Sequence, residues 1–117
     1  MRLNPRNRQG RCYELAWRYL IEDERYSHGW KLVQGEVQRA TDGFRFGHAW
    51  LISDDGSSIY DPCLDKLFAA ANYNSTFNTS VNLKCTPRQA AELSLSDSHF
   101  GPWAPVRLVE LGLKVRR

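Results

Sequence analysis

Apolar side chains fall at Cys12, Leu15, Ala16, Tyr19 and Leu20, the i, i+3, i+4, i+7, i+8 spacing of one helical face. Glu14, Arg18 and Glu22 lie on the opposite face, so the pattern predicts a helix over residues 11–24, stopped by Ser27, His28 and Gly29. From Trp30 to Gln38 the period shortens to that of a strand, interrupted by Gly35, and Asp42-Gly43 supplies a turn. From Phe44 to Ile52 the residues alternate, with Phe46, His48, Trp50 and Ile52 on one face. "SDDGSS" is a turn signal, and "IYDPC" reads as a returning strand that Pro62 ends.

The second half of the chain is patterned less regularly. Good helix formers predict a second helix from Asp65 to Ala71, and the asparagine-rich "NYNSTFNTSVN" reads as loop with room for one short strand. Thr86, Pro87 and Gln89 have the spacing of a capping box, so "PRQAAELSL" is expected to form a third helix. "VRLVELGLKV" reads as a closing strand. A helix, three strands and a mixed remainder predict an α+β fold, its antiparallel sheet packed on the N-terminal helix.

The turn between the second and third strands decides which residues meet. With Asp55-Gly56 at the centre of a tight hairpin, Ile52 faces Ile59, Trp50 faces Asp61 and His48 faces Cys63. His48, Trp50, Asp61 and Cys63 then project from one side of the sheet, with His48 and Asp61 diagonal neighbours about 7 Å apart at Cβ. A three-residue loop would throw Asp61 to the other face. Cys12 stands at the N-terminal end of the first helix, where unpaired backbone N–H groups and the helix dipole favour a thiolate. Nucleophile, imidazole base and orienting carboxylate are the parts of a triad, here Cys12, His48 and Asp61. The Cys12 backbone N–H, with a side-chain amide such as Gln9 or Asn7, is the candidate oxyanion site, and Trp50 and Trp103 are candidate walls of a substrate cleft. His28 and His99 lie in turn-like segments and are expected to be exposed.

Composition changes this picture little. The 117 residues fit one domain, and an apolar fraction of 42% with 25% charged residues is that of an ordinary globular protein. No run approaches the roughly 20 apolar residues of a membrane span, and the basic N-terminus lacks the apolar stretch of a secretory signal, so a cytoplasmic location is the default expectation. Three cysteines, Cys12, Cys63 and Cys85, cannot all pair within one chain. The net charge is +3, with basic residues gathered at the ends (Arg2, Arg6, Arg8, Arg11, then Lys114, Arg116, Arg117); such ends usually solvate termini, and nucleic-acid binding is not the expectation.

"GRCYELA", "KLVQGEV" and "GHAWLISDDGSSIYDP" together resemble the core of the transglutaminase-like branch of the papain-like cysteine proteases. The resemblance covers about residues 10 to 62. It implies Cys12 as nucleophile, His48 as base and Asp61 as orienter, in the order that family uses. It further implies acyl transfer through a thioester without metal or organic cofactor, on a peptide or protein substrate: hydrolysis of a peptide or side-chain amide, or transfer to an amine. Where that family carries a small hydroxyl residue after Asp-Pro, this chain has Cys63. The segment beyond residue 65 resembles nothing in that family and is where substrate specificity would be expected. Two other readings stay open: a zinc site built from Cys12, His48, Asp61 and Cys63, though no Cys-x-x-Cys pair starts it, and a non-catalytic protein-interaction module.

Overall fold

A computed structural model of the chain describes residues 11–112. It is an α+β structure in which five antiparallel strands form one sheet of order β4-β3-β2-β1-β5. The strands are β1 (Lys31–Gln38), β2 (Arg45–Ile52), β3 (Ser58–Asp61), β4 (Lys66–Ala69) and β5 (Ser80–Cys85). Helix α1 (Cys12–Glu22) begins the described chain, and a single turn, α2 (Glu24–Ser27), follows it. Helices α3 (Ala70–Phe77), α4 (Pro87–Asp97) and α5 (Val106–Glu110) complete it.

Helix α1 buries Leu15, Ala16, Tyr19 and Leu20, the face its spacing predicts. Its outer face is laced by ion pairs from Arg11 to Glu14, Arg18 to Glu14 and Arg18 to Glu22, at the three- and four-residue spacing that brings side chains together on a helix. The helix stops at Glu22, earlier than the expected residue 24, because Asp23 leaves helical geometry and its carboxylate caps α2 through the Arg25 amide.

The sheet separates two cores. Leu32, Ala49, Leu51, Tyr60, Leu83 and Cys85 face α1 and α4 together with Leu15, Leu20 and Leu93. Val33, Val37, Trp50 and Ile59 face the other way and are covered by Ala70 and Tyr73 of α3. The β1 strand runs unbroken through Gly35 because β5 bulges there: a Cβ at this position would meet the Ser80 carbonyl.

Ile52 pairs with Ile59 and Leu51 with Tyr60, the expected register, although the turn is longer than a two-residue loop. The Ser53 amide bonds the Ser58 carbonyl and the Gly56 amide bonds the Ser53 carbonyl, so four residues form the loop. Asp55 holds it by accepting from the Ser53 hydroxyl and from the Ser57 amide and hydroxyl. Two- and four-residue loops share the same parity, which keeps Asp61 on the face of His48.

Three expectations are corrected. The helix expected from Asp65 to Ala71 is strand β4, and helix begins only at Ala70. After Pro62 the chain reverses through Asp65 (φ 52°) and pairs Lys66–Ala69 back onto β3, so the open hydrogen-bonding edge of β3 outweighs local helix propensity. The asparagine-rich stretch is α3 followed by β5: Ala70, Tyr73 and Phe77 recur with helical spacing, and Asn78 ends the helix in the left-handed region. The closing strand is instead α5, which buries Leu108 while Val106 and Val109 stay exposed; residues 113–117, including Lys114, Arg116 and Arg117, lie outside the described residues. The third helix forms as expected, with the full Thr86–Gln89 capping box.

No helix among the described residues is long and apolar enough to cross a membrane.

Candidate functional site

The site grows from the place where β2 and β3 part. Along this antiparallel ladder the narrow, mutually bonded pairs alternate, and the Ser53 amide on the Ser58 carbonyl fixes which they are: 53/58, then 51/60, then 49/62. The last pair never forms. Pro62 has no amide to give, its carbonyl accepts from Asp65 in the reversing turn, and the Ala49 N–H is left facing the gap. That N–H donates to the sulfur of Cys12.

Cys12 is the first residue of α1, which packs on the Ala49/Leu51 face of the sheet. His48 projects from the opposite face beside Trp50. Sulfur and imidazole therefore approach β2 from its two sides and meet in the opening beyond the Leu51–Tyr60 pair. Tyr13 packs close over Gly47, where a Cβ would collide with its hydroxyl, so glycine before His48 lets the start of α1 sit down on the strand.

Asp61 occupies the neighbouring position on β3 and is 1% exposed. A carboxylate this deep costs several kcal/mol in lost hydration unless every lone pair is used. Here they are. Oδ2 receives His48 Nε2 at 2.9 Å and the Tyr73 hydroxyl at 2.7 Å. Oδ1 receives the amides of Cys63 at 2.9 Å and Leu64 at 3.3 Å. Burial pushes the Asp61 carboxyl toward its neutral form, but the His48 hydrogen bond and charge, with the Tyr73 and Leu64 donors, outweigh it and hold Asp61 ionised. Burial, with the Asp61 charge alongside, keeps Tyr73 protonated as the donor.

With Nε2 committed to Asp61, Nδ1 is the nitrogen that remains for the Cys12 sulfur. Burial favours neutral His48, yet hydrogen bonds to Asp61 and Cys12 prevail and raise it to about 9. The Cys12 thiol is lowered to about 5, chiefly by a hydrogen bond from the Cys63 thiol, against the cost of burial, and further by His48 and the Ala49 amide. The pair rests as thiolate and imidazolium across neutral pH. Cys85, by contrast, is buried in the α1-side core and pushed up to about 12 by that burial.

Of the residues singled out in the sequence, Cys12, His48 and Asp61 converge as the hairpin register requires, and Cys63 joins them. Trp50 does not wall a cleft: it is 1% exposed, and its ring packs against His48 and Tyr73, so it braces the imidazole from beneath. Trp103 does not wall one either, being buried in the α1-side core with its amide bonded to the Gln34 side chain. Gln9 and Asn7 lie outside the described residues. The Cys12 amide, first in its helix, has no acceptor within α1 among the described residues and is the candidate oxyanion donor. His28 and His99 are exposed, as expected. In the zinc reading Asp61 drops out of the ligand set, because both its oxygens are spent on His48, Tyr73 and two amides; Cys12, His48 and Cys63 remain together.

Two contributors were not found in the sequence. Tyr73 sits in a stretch read as loop, although its three- and four-residue spacing from Ala70 and Phe77 carried the signal. The Ala49 amide is backbone and becomes legible only once Pro62 is placed opposite it.

No family model, no curated protein and no solved structure matches this chain.

Proposed function

We propose that this chain is a thiol-dependent acyl-transfer enzyme in which Cys12 is the nucleophile, His48 the general acid–base and Asp61 the orienting carboxylate. One observation carries the reading: His48 is held by Asp61 through one nitrogen while the other is left to Cys12. Nucleophilic catalysis needs this order of contacts.

In the reaction the Cys12 thiolate attacks a substrate carbonyl carbon, and the charge that builds on the carbonyl oxygen faces the Cys12 amide at the start of α1. The imidazolium of His48 gives its proton to the departing amine or ammonia, leaving a thioester on Cys12. Water, or an acceptor amine, then gives a proton to neutral His48 as it attacks the thioester, and the acyl product leaves as the thiolate and imidazolium are restored. Asp61 stays ionised throughout and stabilises the positive ring. Cys63 donates to the resting thiolate, the place where the resemblance leads one to expect a hydroxyl.

The simplest substrate is a peptide bond or a glutamine-type side-chain amide, with amine transfer as the alternative outcome of the same thioester. The papain-like, transglutaminase-like arrangement inferred from "GRC", "HAW" and "YDP" supports this reading, as does the α+β fold with its N-terminal helix on an antiparallel sheet.

The test is incubation of the full chain with a peptide and protein panel, with and without a primary amine, read by mass spectrometry. Cleavage, deamidation or amine incorporation that disappears in Cys12→Ala supports the reading. Products that persist in Cys12→Ala overturn it.

A further inference from the structure

Cys63 has no place in a three-residue triad, yet its sulfur lies with the Cys12 sulfur and a His48 ring nitrogen so that all three atoms fall within 4.8 Å of one another. We propose that Cys12, His48 and Cys63 form a three-ligand site for zinc(II), with a fourth position open to solvent or to an incoming ligand. The donor set is right for the ion, since two thiolates and one imidazole with a free position is a known zinc arrangement. The size is nearly right. Sulfurs on a tetrahedral zinc stand about 3.8 Å apart, given zinc–sulfur bonds of roughly 2.3 Å, so the cluster needs to contract by no more than about 1 Å.

The surroundings carry the proposal further. A ligating histidine is normally fixed by a carboxylate on its other nitrogen, and Asp61 already holds His48 Nε2 at 2.9 Å. Asp61 is itself fixed by the Tyr73 hydroxyl and by the amides of Cys63 and Leu64. The carboxylate support a metal-bound imidazole needs is therefore built before any ion arrives. The amide of Cys63 on Asp61 also ties the second thiol to the same carboxylate that orients the ring. Both cysteines are half-buried, which leaves an approach for the ion. Binding releases two protons, one from the Cys63 thiol and one from Nδ1 of the His48 imidazolium.

The binding stands on this geometry alone. Its consequence, that zinc silences Cys12, rests on the reading of Cys12 as a nucleophile.

The experiment titrates the reduced, metal-stripped full chain with cobalt(II) as a spectroscopic probe, then adds zinc. The expected result is one cobalt per chain with thiolate-to-cobalt charge-transfer absorption and tetrahedral ligand-field bands, both bleached by zinc. Cys63→Ser should retain about half the charge-transfer intensity and bind at least roughly tenfold more weakly. Tyr73→Phe should keep the intensity and lose about tenfold in affinity, the usual effect of removing a supporting contact. Cys85→Ala should leave the spectrum unchanged. Absence of a charge-transfer band, a spectrum unaltered in folded Cys63→Ser, or one altered in Cys85→Ala overturns the proposal. Iodoacetamide labelling of Cys12 in the same metal-free sample separates the two readings. Fast labelling without cobalt uptake removes only the metal site, and cobalt uptake with slow labelling removes only the nucleophile.

Discussion

The amide of Ala49 donates to the sulfur of Cys12 through the opening that Pro62 leaves between β2 and β3. A backbone donor freed by one proline thus becomes part of the environment of a thiolate that reaches the sheet from its other face. Replacing the proline tests the link. In Pro62→Ala the regained amide allows the 49/62 pair to close, and the Ala49 N–H is then shared with a carbonyl. Ala49 is the smallest of the named supports of the thiolate, after Cys63 and His48, so its partial loss corresponds to less than about one pH unit. The midpoint of the Cys12 alkylation profile is expected to rise by up to about that amount; an unchanged midpoint in a folded variant contradicts the role of Ala49.

The thiolate itself predicts a pH profile. With Cys12 lowered to about 5, its iodoacetamide alkylation rate should level off above about pH 6, where an ordinary thiol is still climbing toward its value of 9.0. Cys85, buried and pushed up to about 12, should stay unlabelled in the native state. The measurement is peptide-resolved mass spectrometry after timed labelling in the presence of a chelator. Equal, slow labelling of the two cysteines rules out the activated thiolate.

Asp61→Asn separates orientation from charge. The amide keeps an oxygen for the Cys63 and Leu64 amides but sets an NH2 against the Tyr73 hydroxyl and His48 Nε2, which now must accept. The ring is driven to the wrong tautomer, and a loss of about 10³–10⁴ in turnover is expected by analogy with triads of this type. Stability should fall by about 1–3 kcal/mol in urea unfolding, from the impaired network. Full activity in the folded variant removes Asp61 from the site.

How much of this was legible in the sequence follows from how local each signal is. The α1 face, the hairpin register and the α4 capping box depend on residues a few positions apart, and their periodicity is intact in the one-dimensional pattern. The meeting of His48 and Asp61 was legible through them, because the parity of one turn determines whether Asp61 shares a face with His48. The strand at Lys66–Ala69 was not, since its reason is the open edge of β3, a partner found only after the turn at Asp65. Tyr73 was hidden for a related reason: asparagines on both sides lower helix propensity, and only the apolar surface of Val33, Trp50 and Ile59 above it makes the helix worthwhile. Trp50 and Trp103 were legible as large apolar residues, but neither alternation nor spacing tells a cleft wall from a core.

The thiolate–imidazolium pair also gives stability a pH profile whose sign follows from the two shifts. Cys12 has a folded pKa of about 5 against 9.0 unfolded, so its contribution is complete above 9 and is lost as pH falls toward 5. His48 runs the other way: about 9 folded against 6.5 unfolded, so its contribution is complete below 6.5 and is lost as pH rises to 9. Between 6.5 and 9 the unfolded chain keeps the thiol proton and the folded chain keeps the imidazolium proton, so the two slopes cancel. Below 6.5 only the cysteine slope remains, and stability declines toward pH 5. In Cys12→Ser that slope disappears while Asp61 still supports the positive ring, so Tm should fall as pH rises above 6.5. Thermal melts of both proteins across this range provide the check, and subtracting one profile from the other removes the carboxylates common to both. Parallel profiles for the two would mean that Cys12 is an ordinary protonated thiol in the folded protein.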